Sequence, residues 1–244
     1  MATLNQSVEV LADKSALIER ARQIVVSRIQ TAIETNDRFT IALSGGSTPK
    51  PLYEALATES LPWSRIHIFW GDERYVPANH QDSNQLMTRQ AWLDKIEIPE
   101  GNIHAVNTTT GDPQQDAAQY EAELKKFFAT DAEFPTFDLI LLGMGDDGHT
   151  ASLFPQTEAL TVGDRWITVG NKDGQPRLTF TVPLINQADC VLFMVSGANK
   201  RSALEHVFAP QGSSSQYPSR LIQPQGELLW LLDRAAGDEL SKTA

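Results

Sequence analysis

The run from Phe137 to Pro155, FDLILLGMGDDGHTASLFP, joins an apolar stretch to three glycines, two adjacent carboxylates and a histidine. Phe137 and Leu139 to Leu142 predict a strand covered on both faces, since neither face from Leu139 on is polar. Gly143, Gly145 and Gly148 then allow a bend in which backbone can approach a ligand. Open α/β sheets bind ligands outside the carboxyl ends of their strands, so Asp146, Asp147 and His149 stand where chemistry is expected. Imidazole, with an ordinary pKa of about 6.5, is the side chain best suited to accept a proton near neutral pH. No Gly-x-Ser-x-Gly elbow is present, and Cys190 falls inside the apolar run Cys190 to Val195. Covalent acyl transfer therefore lacks a nucleophile, and attack by an activated water is the simpler scheme.

Three further segments end a predicted strand in polar or glycine-rich residues. SGGSTPK offers the N–H groups of Gly45, Gly46, Ser47 and Thr48 and the hydroxyls of Ser44, Ser47 and Thr48 at a helix start, a cradle for phosphate. It has neither the Walker spacing nor the three-glycine dinucleotide spacing, and the Ser-x-x-Lys formed by Ser47 and Lys50 has no companion elements. SGANKR places Lys200 and Arg201 at a strand-to-helix turn, where either could fix a phosphate, Arg as a fork and Lys as a point charge. GDER brings Asp72, Glu73 and Arg74 to a strand end; Arg74 could stabilise an oxyanion, while Asp72 could orient a histidine or bind a sugar hydroxyl. Asp72, Asp147 and His149 could also surround a metal, but patterns such as His-Glu-x-x-His are missing and no metal is expected.

The elements that must position these residues follow from periodicity. Leu17, Ala21, Ile24, Val25, Ile29, Ala32 and Ile33 predict a packing helix over residues 15–35. Strands are expected at Phe39 to Leu43, Ile66 to Trp70, 137 to 142, Arg177 to Val182, Cys190 to Val195 and Leu228 to Leu232. Helices are expected from Pro49 to Ala57 with Thr48 as cap, after Ser83 through Leu93, and after Asp112 with Pro113 in the first turn. This alternation predicts an α/β fold: a mostly parallel sheet with helices on both faces, three layers in all. All four polar tips would then share one edge of the sheet. GSSSQYPS at 212–219 reads as a surface loop, nothing resembles an interdomain linker, and residues 1–244 are expected to form a single domain.

The chain has 244 residues, 41% of them apolar, enough for a sizeable core without disulfides, and Cys190 is its single cysteine. A net charge of −11 argues against a duplex nucleic acid partner, and no apolar run approaches the roughly 20 residues needed to cross a bilayer. A cytoplasmic monomer, or a weak dimer, is expected.

Together the four loops resemble the glucosamine-6-phosphate isomerase/6-phosphogluconolactonase family, and its lactonases in particular. The matching stretches are IALSGGSTPKPLYEAL at 41, FWGDERYVP at 69 with Asp82-Ser83-Asn84 after it, the run at 137, RLTFTVPLIN at 177, VSGANKRSAL at 195, and the ending LLWLLDRAA. The resemblance implies a Rossmann-like fold of the sugar-phosphate isomerase and deaminase type. It also implies hydrolysis of 6-phosphoglucono-1,5-lactone in the oxidative pentose phosphate pathway, with no cofactor and a small sugar-phosphate lactone as partner. On matching positions, His149 would activate water and Arg74 would stabilise charge on the lactone oxygen. Ser44 to Thr48 with Lys200 or Arg201 would hold the phosphate, and Asp72, Asp147 and Arg177 would line the pocket. Two alternatives compete. A glucosamine-6-phosphate deaminase resembles Asp-Gly-His-Ile-Ala-Phe-Asn-Glu-Pro in the histidine loop, where this chain reads DGHTASLFP. A sugar-phosphate sensor without catalysis would be expected to carry a DNA-binding or oligomerising segment, and none is visible.

Overall fold

Asp13, Ser83 and Asp112 each accept hydrogen bonds from the first turn of a helix, from Ala16 N, from Leu86 N, and from Gln114 N and Gln115 N respectively. Each thereby satisfies amides that the helix itself leaves open. The structure, a computed structural model, describes residues 5–238 and Leu240. Its first half runs β1 (Asn5–Leu11), α1 (Lys14–Asn36), β2 (Phe39–Leu43), α2 (Lys50–Leu56), β3 (Ile66–Trp70), β4 (Asp72–Arg74), α3 (Asn84–Ala91) and α4 (Pro113–Phe128). The second half runs β5 (Leu139–Leu142), β6 (Ile167–Lys172), β7 (Gln175–Phe180), α5 (Val182–Asn186), β8 (Cys190–Val195), α6 (Arg201–Phe208), β9 (Glu227–Asp233) and α7 (Arg234–Gly237).

Six strands form a parallel sheet in the order β1-β9-β8-β5-β2-β3. β2, β5 and β8 are buried along their whole length, which is why β5 and β8 read as unbroken apolar runs and β2 as one broken only by Thr40, whose hydroxyl bonds to Asp138. Connections from β1 to β2 to β3 step toward one edge, and those from β3 to β5, β8 and β9 step back. Right-handed crossovers then place α1 and α2 on one face, α4 and α6 on the other. β2 and β5 are neighbours whose connections leave in opposite directions, the switch point at which such sheets open a crevice. The expected parallel sheet is therefore present, with the four polar tips at its carboxyl edge.

Three expectations need correction. The strand expected from Arg177 to Val182 is β7, which does not join the parallel sheet: it pairs antiparallel with β4 and β6 in a second, three-stranded sheet. The cause is local, since Lys172 faces Gln175 across Asp173 and Gly174, both at positive φ, so β6 and β7 are a tight hairpin. Thr48 does not cap α2, which begins at Lys50 behind Pro49 with no side-chain cap. Leu93 lies beyond α3, in a short 3-10 turn. The strand β1 was not expected at all; it pairs with β9 at the sheet edge. No described helix is long and apolar enough to cross a membrane.

Candidate active site

A cavity of about 430 Å³ opens at the carboxyl edge over β2 and β5. Ser44 to Pro49, Asp72, Arg74, Gly143 to Asp146, His149, Arg177 and Lys200 line it. Four loops that lie far apart in sequence thus meet in one place, as their shared sheet edge requires.

His149 is positioned by its own loop. Gly145 N donates to His149 O at 2.9 Å and Gly148 N to Gly145 O at 3.2 Å, closing a bend in which Gly148 takes φ +78. From outside, Ser219 donates through N and Oγ to the Gly148 carbonyl at 3.0 and 2.9 Å, so the 212–219 segment braces this bend. Thr150 Oγ1 donates to Gly143 O, and the Phe154 ring packs 4.6 Å from the imidazole. Asp147 Oδ1 lies 2.6 Å from His149 Nδ1 and also accepts from its backbone N–H at 3.0 Å. A carboxylate can only accept, so Nδ1 carries the proton on this bond and Nε2 is the ring nitrogen left to exchange one. Half-burial alone would raise the Asp147 pKa; the hydrogen bonds from His149 and its charge outweigh that and hold it at about 2. Asp147 is thus the carboxylate that orients the histidine.

Asp72 does something else. Its Oδ2 accepts from Ser152 Oγ at 2.7 Å, its Oδ1 faces Asn84 Nδ2 at 3.4 Å, and Asn84 Nδ2 also donates to the Asp72 carbonyl at 2.8 Å. The buried carboxylate is pinned to the cavity wall by Ser152 and Asn84. Glu73 is structural: it accepts from Arg74 N, Asn84 N, Gln85 N and Ser83 Oγ, gathering the start of α3. Burial raises its pKa against those same hydrogen bonds.

The cation set is uneven. Arg74 donates from Nη1 to the Asp82 carbonyl at 2.6 Å, and its buried Nε has no partner among the described residues. Arg177 is the cross-strand partner of Arg74 and stands over Phe154, 5.5 Å from the ring centroid. Burial, then the Arg74 charge, pushes the Arg177 pKa down against the opposing charges of Asp72, Glu73 and Asp82. Lys200 lines the cavity; Arg201 does not, and its Nε donates to Ala235 O at 2.7 Å. Lys172, at the β6–β7 hairpin, also lines the cavity and stands 5.7 Å from the Phe154 centroid.

The loop after β2 completes the site. Tyr53 Oη accepts from Ser44 N and donates to Ser44 O. Beyond it the N–H groups of Gly45, Gly46, Ser47 and Thr48 find no acceptor among the described residues. Unpaired amides at a helix entrance are an anion site. Gly45 has to be glycine, since a Cβ there would lie 1.8 Å from Asn84 Oδ1. Among the described residues no three His, Cys, Asp or Glu side chains are grouped to hold a metal ion.

Sequence reasoning missed Asn84, Lys172 and Ser152. Asn84 lay in plain view in the Asp82-Ser83-Asn84 run and Ser152 in the histidine loop itself, but only the fold turns them toward Asp72. Lys172 carries no signal of its own until the hairpin is recognised.

Residues 12–230 match the family model described as glucosamine-6-phosphate isomerases/6-phosphogluconolactonase. The 6-phosphogluconolactonase of a Synechocystis strain is 64% identical over 96% of this chain and 98% of its own length. That of a Nostoc strain is 62% identical over 98% and 100% respectively. Among solved structures, the 6-phosphogluconolactonase from Trypanosoma cruzi superposes with a TM-score of 0.87 at 30% identity, covering 98% of both chains. The enzyme from Trypanosoma brucei gives 0.84 at 30% identity, covering 98% of this chain and all of that one.

Proposed function

Because this chain belongs to the glucosamine-6-phosphate isomerase/6-phosphogluconolactonase family, we propose that it hydrolyses 6-phospho-D-glucono-1,5-lactone to 6-phospho-D-gluconate, in the pentose phosphate pathway. One observation carries the reading of the site: a carboxylate-oriented imidazole and four unpaired loop amides open into the same cavity. The amides of Gly45 to Thr48, with Lys200, hold the phosphate and so fix the ring at a distance from the reacting ester. His149 Nε2 removes a proton from water as its oxygen attacks C1, and the carbonyl electron pair moves onto oxygen. Arg74, whose Nε lacks a partner, faces the charge that develops there. As the tetrahedral adduct collapses, the ring C1–O bond breaks and the imidazolium returns the proton to the departing alkoxide. Asp147 stays ionised and stabilises the transient imidazolium. Asp72 and Arg177 hold the sugar rather than move protons.

Deamination is disfavoured by the wall of this cavity. Phe154 occupies the position of the glutamate in the deaminase-like loop, and Asp72 and Asp146 are the acidic side chains lining the cavity. The test is to generate the lactone with glucose-6-phosphate dehydrogenase and follow its loss by NMR. Wild type should remove it well above the spontaneous rate, and His149→Ala should fall by about 10²- to 10⁴-fold, the usual worth of a general base. Full activity in His149→Ala would remove the histidine from this role.

A further inference from the structure

Lys14, the first residue of α1, donates from Nζ to the Ser47 carbonyl oxygen at 2.9 Å, across 33 residues of sequence. The position is electrostatically adverse for the helix. Apart from the capping carboxylate of Asp13, which is committed to Ala16 N, the first turn of α1 contains no acidic side chain, and the positive end of a helix dipole opposes an ammonium. A lysine there gains nothing for α1; what it gains is a hold on one peptide of the anion loop.

The Ser47 carbonyl and the Thr48 N–H belong to one planar trans peptide, so they point in opposite directions. Thr48 lines the cavity and Lys14 does not, and a bond that draws the carbonyl outward turns the N–H inward. Accepting from a cation also polarises the peptide and strengthens its N–H as a donor. The loop has little else to hold it on that side. Gly46 takes φ +103 with open space around it, and no side chain caps α2. On the far side Tyr53 clamps Ser44, so the side-chain hold on the segment is at its start, and Lys14 supplies the one at Ser47.

We infer that Lys14 is a positioning residue of the phosphate subsite, holding the Ser47–Thr48 peptide with its N–H toward the anion and acting through that peptide without touching the substrate. The choice of substrate rests on the proposed lactonase reading; the binding test does not.

Lys14→Met keeps the aliphatic stem and removes the charge, and Lys14→Arg keeps the charge. In Lys14→Met, KM for the phosphorylated lactone and the calorimetric Kd for inorganic phosphate should rise roughly three- to tenfold, with kcat within about twofold of wild type. Lys14→Arg should restore most of the affinity. Thermal stability of Lys14→Met should equal or exceed wild type, because an adverse charge has left the helix start. That opposite movement of stability and affinity is what a merely structural lysine would not produce. Unchanged KM and Kd in Lys14→Met, or kcat and stability falling with affinity, would overturn the inference. If wild type failed to hydrolyse the lactone, the functional proposal would fall while the phosphate Kd comparison still decided the role of Lys14.

Discussion

Gly145→Ala is the sharpest test of the histidine–carboxylate pair, because the atoms nearest to the added methyl belong to that pair. A Cβ built on Gly145 lies 2.1 Å from His149 Nδ1, 2.3 Å from its Cε1 and 2.5 Å from Asp147 Oδ1. Ordinary contact needs about 3.5 Å, so the imidazole has to move by about 1.4 Å or break its 2.6 Å bond to Asp147. A misplacement of about 1 Å costs on the order of 10²-fold in rate, and losing the base altogether costs up to about 10⁴-fold. The expected fall in kcat is therefore about 10²- to 10³-fold, or about 2.7–4 kcal/mol in the barrier. KM should change little, since the amides of Gly45 to Thr48 are untouched. The backbone at Gly145 is not in the left-handed region, so the fold should persist, and Gly101→Ala, whose Cβ meets nothing within 4 Å, is the matched control. Coupled kinetics and thermal melts on the two variants decide it. If Gly145→Ala kept more than about half of wild-type kcat while folded, the pair would not be the working base.

Two further predictions concern stability. Burial, then the charges of His104 and Arg38, pushes the His67 pKa down to about 4, while the unfolded chain takes up that proton near 6.5. Stability should thus decline as pH falls from about 6.5 toward 4, and His67→Phe should flatten that decline; parallel slopes in melts of the two proteins would refute it. The capping geometry separates α4 from α2: Asp112→Ala should cost about 1 kcal/mol in denaturant unfolding, whereas Thr48→Ala should leave stability unchanged because Thr48 caps nothing.

The parallel sheet was legible because strands buried on both faces, such as β5 and β8, are apolar at every position, and β2 is so but for Thr40. Their tips were legible for the complementary reason, that glycine and charged residues have no place inside such strands. The second sheet was hidden by its brevity. β4 spans three residues, and Gly71 alone separates it from β3, so no periodicity can be read there. The signal that went unread is Asp173-Gly174, a dipeptide that favours the positive φ a two-residue turn requires and so marks the β6–β7 hairpin. With that turn recognised, Lys172 and Arg177 fall on one hairpin facing the cavity.

The roles of the two aspartates show where sequence spacing stops being informative. Asp147 stands two residues before His149, and on a regular helix that offset would turn the two side chains to different faces. They meet here because Gly148 takes positive φ and Gly145 N closes the bend on His149 O. Asp72 arrives at the same cavity from another strand, and what decides its use is not distance from the imidazole along the chain but prior commitment to Ser152 and Asn84. A carboxylate whose oxygens are held by a buried hydroxyl and an amide is a poor orienter of a mobile ring and a good fixed acceptor for sugar hydroxyls. The glycines therefore select which acid meets the imidazole, and under the proposed mechanism the loop's conformation, more than its composition, separates proton transfer from sugar recognition.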